Sequence, residues 1–209
     1  MAPLPRRFYD RPVERVARDL LGKRLLRRAA NCFTTGRIVE VEAYLPLGDS
    51  ASHAFRGQKP RNAAMFGPPG HAYVYAIHSR HCLNVVTEPE GIASAVLIRA
   101  VEPLDGLDLM KKRRGTERVL DLARGPGRLC QAFDLDRAMD GWDLVRGQRL
   151  WIAVDEGFDL TDQQVVVTPR VGVTSAKDLP LRFFVAACRF VSGPRSVRPA
   201  TRPPRTSSR

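Results

Sequence analysis

Hydrophobic and polar residues alternate in several short segments of this chain, which is typical of half-buried β-strands. The clearest segment, GRIVEVEAYL at 36–45, places Glu40, Glu42 and Tyr44 on one face of a predicted strand. Further strands are predicted at 71–77, 82–87, 93–101, 151–155, 164–169 and 182–191. A hairpin with a basic tip at 78–81 is expected to join the first two of these further strands.

Apolar residues recur at helical spacing in three other segments, at 10–22, 104–124 and 128–139. Because strands dominate and do not alternate regularly with helices, we expect an α+β fold with a largely antiparallel sheet. Residues 46–71 are rich in Gly, Pro, Ser and Asn and predict a long structured loop. Loops of that length in a compact domain are usually functional.

The charge balance is strongly basic. The 209 residues include 34 Lys and Arg against 22 Asp and Glu, a net charge of +12. We predict one domain over 1–194 and a disordered basic tail over 195–209, which holds five Arg and no acid. Removing the tail leaves 29 basic against 22 acidic residues, a net charge of +7. This excess favours a polyanionic partner such as nucleic acid, although a soluble protein from a GC-rich genome would also be rich in Arg.

Several other classes of protein are not expected. No run approaches the roughly 18 apolar residues of a membrane span, and the first residues lack the apolar core of a signal peptide. We therefore expect a cytoplasmic protein.

Four widely spaced cysteines without a CxxC motif indicate free thiols: Cys32, Cys82, Cys130 and Cys188. The four histidines show no metal-binding spacing, so no metal site is predicted.

A candidate for acid–base chemistry lies at the end of the strand at 36–45. Glu42 follows an apolar run, lies beside Tyr44 and precedes the long loop, so it suits a general base facing a cleft. From its position alone, an ordinary surface residue of the strand is the favoured explanation. Tyr44, Tyr73 and Tyr75 cluster near the same place, and they suit either stacking on nucleobases or an ordinary core.

Several segments, taken in order from about residue 8 to residue 192, resemble the methylpurine-DNA glycosylase family, also called alkyladenine or 3-methyladenine DNA glycosylase. They are RIVEVEAYL (37–45), ASHAFRGQKPRNAAMFGPPGHAYVY (51–75), LNVV (83–86), LIRAVEPLDG (97–106), RGPGRLCQAF (124–133), and PRVGV with LPLRFFV (169–185). The resemblance implies a single mixed domain in which helices surround a curved antiparallel sheet and a β-hairpin enters the DNA minor groove. It also implies a monomeric enzyme that needs no metal or cofactor. Such an enzyme cuts the N-glycosidic bond of damaged purines in double-stranded DNA and leaves an abasic site.

The resemblance also assigns catalytic roles. Glu42 matches the residue that deprotonates the attacking water, and Arg99 and the main-chain carbonyl of Val171 match the groups that hold this water. Water as the nucleophile implies a monofunctional glycosylase. The five lysines lie outside the matched catalytic positions, whereas a bifunctional glycosylase–lyase would use an amine to form a Schiff base. Borohydride trapping separates these two alternatives.

The matched base pocket comprises Tyr44, His53 and Tyr75, which stack on the flipped base, and Asn84, which lies against the purine edge and helps to exclude guanine. Alkylation at N3 or N7 makes a purine cationic, and aromatic faces attract cations. The family substrates are 3-methyladenine, 7-methylguanine, hypoxanthine and ethenoadenine. The sequence does not rank them.

The hairpin departs from the family pattern. The family places a Tyr as a wedge in the space that the flipped nucleotide vacates, and His78 is its nearest counterpart in the segment formed with Ser79 and Arg80. The stretch from Tyr75 to Asn84 is one residue shorter than in the family. An imidazole is smaller than a phenol and fills the vacated space less well, which disfavours flipping. A non-catalytic protein that binds damaged DNA therefore stays an alternative.

Basic residues near the predicted site are candidates for contact with the DNA backbone. Arg56, Lys59 and Arg61 lie in the long loop, and Arg80 lies at the hairpin. Arg is well suited to bidentate phosphate contacts. We expect the tail at 195–209 to add only non-specific affinity.

Overall fold

An eight-stranded antiparallel sheet forms the centre of the computed structural model, which describes residues 1–30, 32–161 and 164–193. The strands are β1 (Arg24–Ala29), β2 (Cys32–Tyr44), β3 (Ala72–Ile77), β4 (Arg80–Thr87), β5 (Ser94–Asp105), β6 (Leu150–Ala153), β7 (Val165–Thr168) and β8 (Arg182–Val185). The predicted α+β class and antiparallel sheet are confirmed. The predicted tail at 195–209 lies outside the described residues.

The long strand β2 connects the two halves of the sheet. Along one edge it pairs with β5, within the strand order β3-β4-β5-β2-β1-β6. Along the other edge, its first half pairs with β1 and its second half pairs with β8, which in turn pairs with β7. Residues near the carboxyl end of β2 therefore lie between β5 and β8, in the interior of the sheet.

Short helices pack around this sheet. The α-helices are α1 (Arg6–Tyr9), α2 (Val13–Leu20), α3 (Leu107–Arg114) and α4 (Pro126–Phe133). The 3-10 helices span His53–Arg56, Pro60–Phe66, Val119–Asp121, Arg137–Met139 and Leu144–Arg146. Within the described residues, no helix combines the length and the apolar character needed to cross a lipid bilayer.

The predicted helical segments are longer than the helices in the structure. β5 continues to Asp105, so the helix predicted at 104–124 begins only at Leu107, and it ends where Gly115 adopts a left-handed backbone conformation with φ of 63°. The helix predicted at 128–139 ends at Phe133, because Asp134 is also left-handed, with φ of 54°. β1 was missed because its sequence, RLLRRA, does not alternate between apolar and polar residues.

The two faces of the sheet bury different sets of residues. Val41, Val74 and Leu83 belong to the main core, which includes apolar residues of α2 and α4. On the other face, Tyr73 and Val86 belong to a smaller cluster with residues of the loop at 46–71. The alternation of side chains along each strand thus separates a helix-covered core from a loop-covered face.

A buried ion pair attaches the start of that loop to the segment after β7. Arg170 donates two hydrogen bonds to the Asp49 carboxylate, at 2.6 and 2.7 Å, and both side chains are fully buried. Arg170 also donates to the Ala43 carbonyl oxygen at 3.1 Å, and the Leu45 and Ala51 amides donate to Asp49. The pair therefore holds two chain segments together beside the end of β2.

We expect Asp49→Asn to destabilise the protein by about 3–5 kcal/mol, because it leaves the Arg170 guanidinium buried without a counter-charge. Burial alone would raise the pKa of Asp49, but the hydrogen bonds and charge of Arg170 outweigh it and hold this pKa below its ordinary value. The ionised pair therefore stabilises the fold fully above the unfolded-state pKa of about 4, and this stabilisation is lost as the pH falls through the lower folded-state pKa. Urea unfolding at pH 7, 4 and 3 measures both effects.

Asp108→Asn is the matched control, because the Asp108 side chain is fully exposed at the start of α3. It should leave the free energy of unfolding within about 0.5 kcal/mol of the wild type. If Asp49→Asn behaves like this control at pH 7, the ion pair does not hold the two segments together.

Candidate active site

The sheet register brings the predicted site residues onto one face. Tyr73 on β3 lies opposite Asn84 on β4, and Asn84 lies opposite Leu97 on β5. Leu97 in turn lies opposite Glu42 on β2. Directly opposed residues of antiparallel strands point to the same side of the sheet, so this row places Glu42 on the loop-covered face together with the aromatic residues.

Glu42 is fully buried, and both of its carboxylate oxygens accept hydrogen bonds. Oε1 accepts from the Val171 amide at 2.7 Å. Oε2 accepts from the Tyr44 hydroxyl at 3.1 Å and from Arg99 Nη1 at 3.2 Å. The explanation of Glu42 as an ordinary surface residue is therefore wrong. A carboxylate offers about four lone-pair positions, so these three bonds leave one position for a further donor such as water.

Arg99 reaches Glu42 from an irregular position of β5. The pairing of β2 with β5 shifts register on both sides of Glu40, and Arg99 has no directly opposed partner. Such β-bulges re-aim side chains next to active sites. Arg99 Nη1 lies 3.5 Å from the Val171 carbonyl oxygen, so the three residues predicted to act on water are in mutual contact.

A cavity of about 400 Å³ opens beside Tyr44. The predicted pocket residues Tyr44, His53, Tyr75 and Asn84 all line it. Its volume lies in the range of small-molecule binding sites. The sequence therefore identified four residues that share one pocket.

The aromatic rings of this pocket contact one another. The ring centroids of His53 and Tyr75 are 4.5 Å apart, with the ring planes at 71°, and those of Tyr73 and Tyr75 are 5.4 Å apart. His53 Nδ1 lies 2.8 Å from the Tyr73 hydroxyl, within hydrogen-bond distance. Contacts of this kind restrict the orientations of the three rings.

The aromatic wall is uncharged at neutral pH. Burial raises the pKa of Tyr73 to about 12, and it also raises the pKa values of Tyr44 and Tyr75. Burial and, secondarily, the positive charge of Arg61 lower the pKa of His53. A neutral His53 presents an uncharged aromatic ring to the cavity and does not repel a cation there.

Tyr44 links the pocket to the buried carboxylate. Its ring lines the cavity while its hydroxyl donates to Glu42, which itself is not part of the lining. The Arg170 guanidinium lies 4.6 Å from the centroid of the Tyr44 ring. Gly172, the neighbour of Val171, also lines the cavity. The carboxylate thus lies directly behind the pocket wall, with the ring positioned by the same Arg170 that pairs with Asp49.

Positive charge surrounds the cavity. Arg56, Lys59 and Arg61, all predicted to contact the DNA backbone, line it, and no acidic residue is among its described lining residues. This charge attracts anionic groups such as phosphates toward the cavity.

The predicted wedge segment, His78, Ser79 and Arg80, is not among the residues that line this cavity. β3 ends at Ile77 and β4 begins at Arg80, so the turn comprises only His78 and Ser79 and is shorter than the predicted tip at 78–81. His78 is exposed and left-handed, with φ of 52°. Ser79 and Arg80 line a second cavity, next to Gly127 at the start of α4.

Twelve of the nineteen described lining residues were not among the site residues assigned from the sequence, and Tyr73, Ile77 and Phe55 are among these twelve. Tyr73 and Ile77 line the cavity together with Tyr75, because every second residue of β3 points to the same face. This alternation is visible in the sequence: it supports the stacking alternative for Tyr73 and adds Ile77. Phe55 also lines the cavity from the 3-10 helix at His53–Arg56. No local signal in the sequence showed which side of that helix faces the sheet.

Potential metal ligands do not gather anywhere in the described part of the chain: no three His, Cys, Asp or Glu side chains come together as a possible site. The four cysteines are free thiols, with Cys82 and Cys130 buried.

Known proteins similar to this chain cover most of its length. The sequence model of the methylpurine-DNA glycosylase (MPG) family matches residues 7–189. A Rhodopirellula baltica protein named "Putative 3-methyladenine DNA glycosylase" is 49% identical over 209 aligned residues, which cover 98% of this chain and 88% of that protein. A protein of the same name from Methanoculleus marisnigri is 50% identical, over 90% of this chain and 98% of its own length.

A third protein of that name, from Koribacter versatilis, is 47% identical over 93% of this chain and 95% of its own length. The family match thus extends over the strands, the pocket and the buried carboxylate described above. The chain therefore belongs to the methylpurine-DNA glycosylase family and is a DNA glycosylase of DNA repair.

Proposed function

We propose that this glycosylase removes alkylated and deaminated purines from double-stranded DNA by hydrolysis, with Glu42 as the general base. The substrate class comprises 3-methyladenine, 7-methylguanine, hypoxanthine and ethenoadenine. We further propose that it acts as a cytoplasmic monomer and requires neither a metal nor a cofactor. The observation that carries the proposal is the contact between a buried carboxylate and a tyrosine that lines an aromatic cavity.

Base recognition begins with the extrusion of the nucleotide, which costs a few kcal/mol. The flipped purine enters the cavity and stacks against Tyr44, His53 and Tyr75. An aromatic face attracts a desolvated cation by up to ~2 kcal/mol, which favours N3- and N7-alkylated purines over normal bases. Asn84 lies at the purine edge. Its side-chain amide donates to the Tyr73 carbonyl oxygen at 3.0 Å, which holds it in one orientation.

Hydrolysis follows from the position of Glu42. The remaining lone pair of the carboxylate accepts a proton from a water molecule, and the resulting hydroxide attacks C1′ of the sugar. The C1′–N bond breaks with its electron pair going to the purine. A cationic alkylated purine leaves as a neutral base, whereas a purine such as hypoxanthine takes up a proton. The products are an abasic site, the free base and a protonated Glu42 that returns its proton to solvent.

The residues around Glu42 stabilise this reaction. An anionic carboxylate near C1′ stabilises the positive charge that develops on the sugar in the transition state. Arg99 and the Val171 main chain contact both Glu42 and each other, so they are placed to orient the water. Because these contacts exist before substrate binds, little reorganisation is needed during the reaction.

We assign contact with the duplex to the three basic residues that line the cavity and to the hairpin. Arg56, Lys59 and Arg61 bind phosphates, so log Kd depends on log salt with a slope of magnitude about 0.9 per phosphate contacted. His78, at the exposed tip of the hairpin, enters the space left by the flipped nucleotide. Ile77 precedes His78, lines the cavity and is 48% exposed. We therefore place it at the border of the space that the flipped nucleotide leaves.

Lys59 gives the bifunctional alternative a specific candidate, because it lines the cavity. A lyase reaction would join this amine to C1′ as a Schiff base. We favour simple hydrolysis because the hydrogen-bonded groups gather around Glu42 and not around Lys59.

We expect Glu42→Gln to lower single-turnover base release by about 10²- to 10⁴-fold, because an amide cannot accept the proton of the attacking water. Binding to the lesion duplex should stay within about twofold of the wild type, because the pocket rings are unchanged. Release of free base from methylated and hypoxanthine-containing duplexes measures the first effect, and fluorescence anisotropy measures the second. Unchanged release would remove Glu42 from the mechanism.

Glu14→Gln, an exposed change on α2, is the control and should release base like the wild type. Wild-type reactions with borohydride should give no covalent protein–DNA complex. A trapped complex that disappears in Lys59→Ala would support the lyase. Binding of the lesion duplex without any base release by the wild type would support a non-catalytic damage-binding protein.

We expect His78→Ala to slow base release from a lesion duplex by about tenfold, equivalent to ~1.4 kcal/mol, because it shortens the wedge that fills the vacated space. Release from the same lesion in single-stranded DNA should not change, because no gap in a base stack has to be filled there. Single-turnover rates on both substrates test this prediction.

Ser79→Ala is the control for the hairpin, since it alters the other turn residue without shortening the proposed wedge. It should leave both rates unchanged. Equal rates for His78→Ala and the wild type on the duplex would rule out His78 as the wedge, and Ile77→Ala would then test the neighbouring apolar residue.

A further inference from the structure

A second carboxylate, Glu40, lies two residues before Glu42 on the same face of β2 and is also fully buried. Its Oε1 accepts from Arg99 Nε at 3.0 Å and from Arg182 Nε at 2.7 Å. Its Oε2 accepts from the Ser192 amide at 2.6 Å. Glu40 does not line the cavity, so it has no direct contact with a flipped base. The proposed chemistry gives this buried charge no role.

Arg99 is shared between the two carboxylates. Its Nε donates to Glu40 while its Nη1 donates to Glu42. A guanidinium group is planar and carries its N–H groups in a fixed fork. Once Nε is held against Glu40, the direction of Nη1 is therefore restricted to the region of Glu42 and the Val171 carbonyl oxygen.

The backbone does not supply this constraint by itself. Arg99 lies where the pairing between β2 and β5 changes register, so no directly opposed residue orients it. Its remaining nitrogen, Nη2, lies 3.4 Å from the Ser192 hydroxyl. The Ser192 carbonyl oxygen accepts from Arg182 at 2.7 Å. Glu40 is thus the group on which Arg99, Arg182 and Ser192 converge.

The charges in this cluster balance. Glu40 and Glu42 carry two negative charges, and Arg99 and Arg182 carry two positive charges. Burial lowers the pKa of Arg99, but the two carboxylates outweigh this effect and raise it, so the guanidinium stays charged. A buried cluster of this kind is costly to alter at one member, because the remaining charges are then uncompensated.

We propose that Glu40 is a positioning residue for base release: it holds Arg99 in the orientation that directs Nη1 to Glu42 and to the attacking water. This inference rests on the proposed role of Glu42 as the general base. It predicts that Glu40 influences the rate of the chemical step and that it does so through Arg99.

Glu40→Asp tests the proposal, because it keeps the charge and withdraws the carboxylate from Arg99 by one methylene. A displacement of about 1 Å at a catalytic group can cost 10²-fold, so we expect single-turnover release from a lesion duplex to fall by about 10- to 100-fold. The Kd for that duplex should stay within about twofold, because the pocket is untouched. The thermal unfolding midpoint of each variant identifies the temperature range in which it is folded.

A double-mutant comparison separates positioning from a purely structural role. Arg99→Lys removes the guanidinium fork and lowers the rate by itself. Adding Glu40→Asp to it should lower the rate no further, because effects that act through one residue do not add. If Glu40→Asp costs the same factor in both backgrounds, or costs nothing in the wild-type background, the proposal is overturned.

The matched control is Glu102→Asp. Glu102 pairs with Arg37 between β5 and β2 at 2.8 Å, away from the cavity, so its shortening should leave the rate unchanged.

If Glu40→Asp does not fold, Ser192→Ala gives a second test, since it removes only a hydroxyl acceptor of Arg99. We expect it to slow release two- to fivefold, about 0.4–1 kcal/mol, and only when Arg99 is present. A lack of base release by the wild type would instead refute the proposed function.

Discussion

The site depends on the burial of an arginine between two carboxylates. Arg99 contacts Glu40 and Glu42 at once, in a part of the sheet where none of the three side chains is freely solvated. Buried charges are tolerated only when they are paired and hydrogen-bonded, so each member restricts the others. The ion pairs and hydrogen bonds that make these buried charges compatible with folding also hold the carboxylate of Glu42 in place behind the pocket.

Two ion-pair systems hold different parts of the site. The cluster at Arg99 orients the carboxylate, and the Asp49–Arg170 pair holds the segment that carries Val171 against the end of β2. Tyr44 contacts both, through its hydroxyl to Glu42 and through its ring to Arg170. In the proposed mechanism, a base stacked on Tyr44 lies on a ring that contacts both the proposed general base and Arg170. That proposal therefore couples recognition and chemistry through one side chain.

Much of the pocket followed from strand alternation. The alternating pattern placed Glu40, Glu42 and Tyr44 on one face, and this face is the one that carries the site. The same periodicity, applied to β3, would also have found Ile77 beside Tyr73 and Tyr75. Helix lengths were less predictable: α3 and α4 each end where one residue adopts a left-handed conformation, and apolar spacing contains no information about that. The two-residue turn at His78 was likewise shorter than the loop that its polar residues indicated.

The sequence by itself determined the fold class, the family and some of the residues that line the cavity, among them Tyr44, His53, Tyr75 and Asn84, because alternation and motif are local properties of the chain. Only the tertiary structure decided that Glu42 is fully buried, that Arg99 bridges it to Glu40, and that Arg170 supports the Tyr44 ring. These contacts join residues 57 to 126 positions apart. They arise from sheet register, two β-bulges and the desolvation of charge, none of which is encoded in any short segment of the chain.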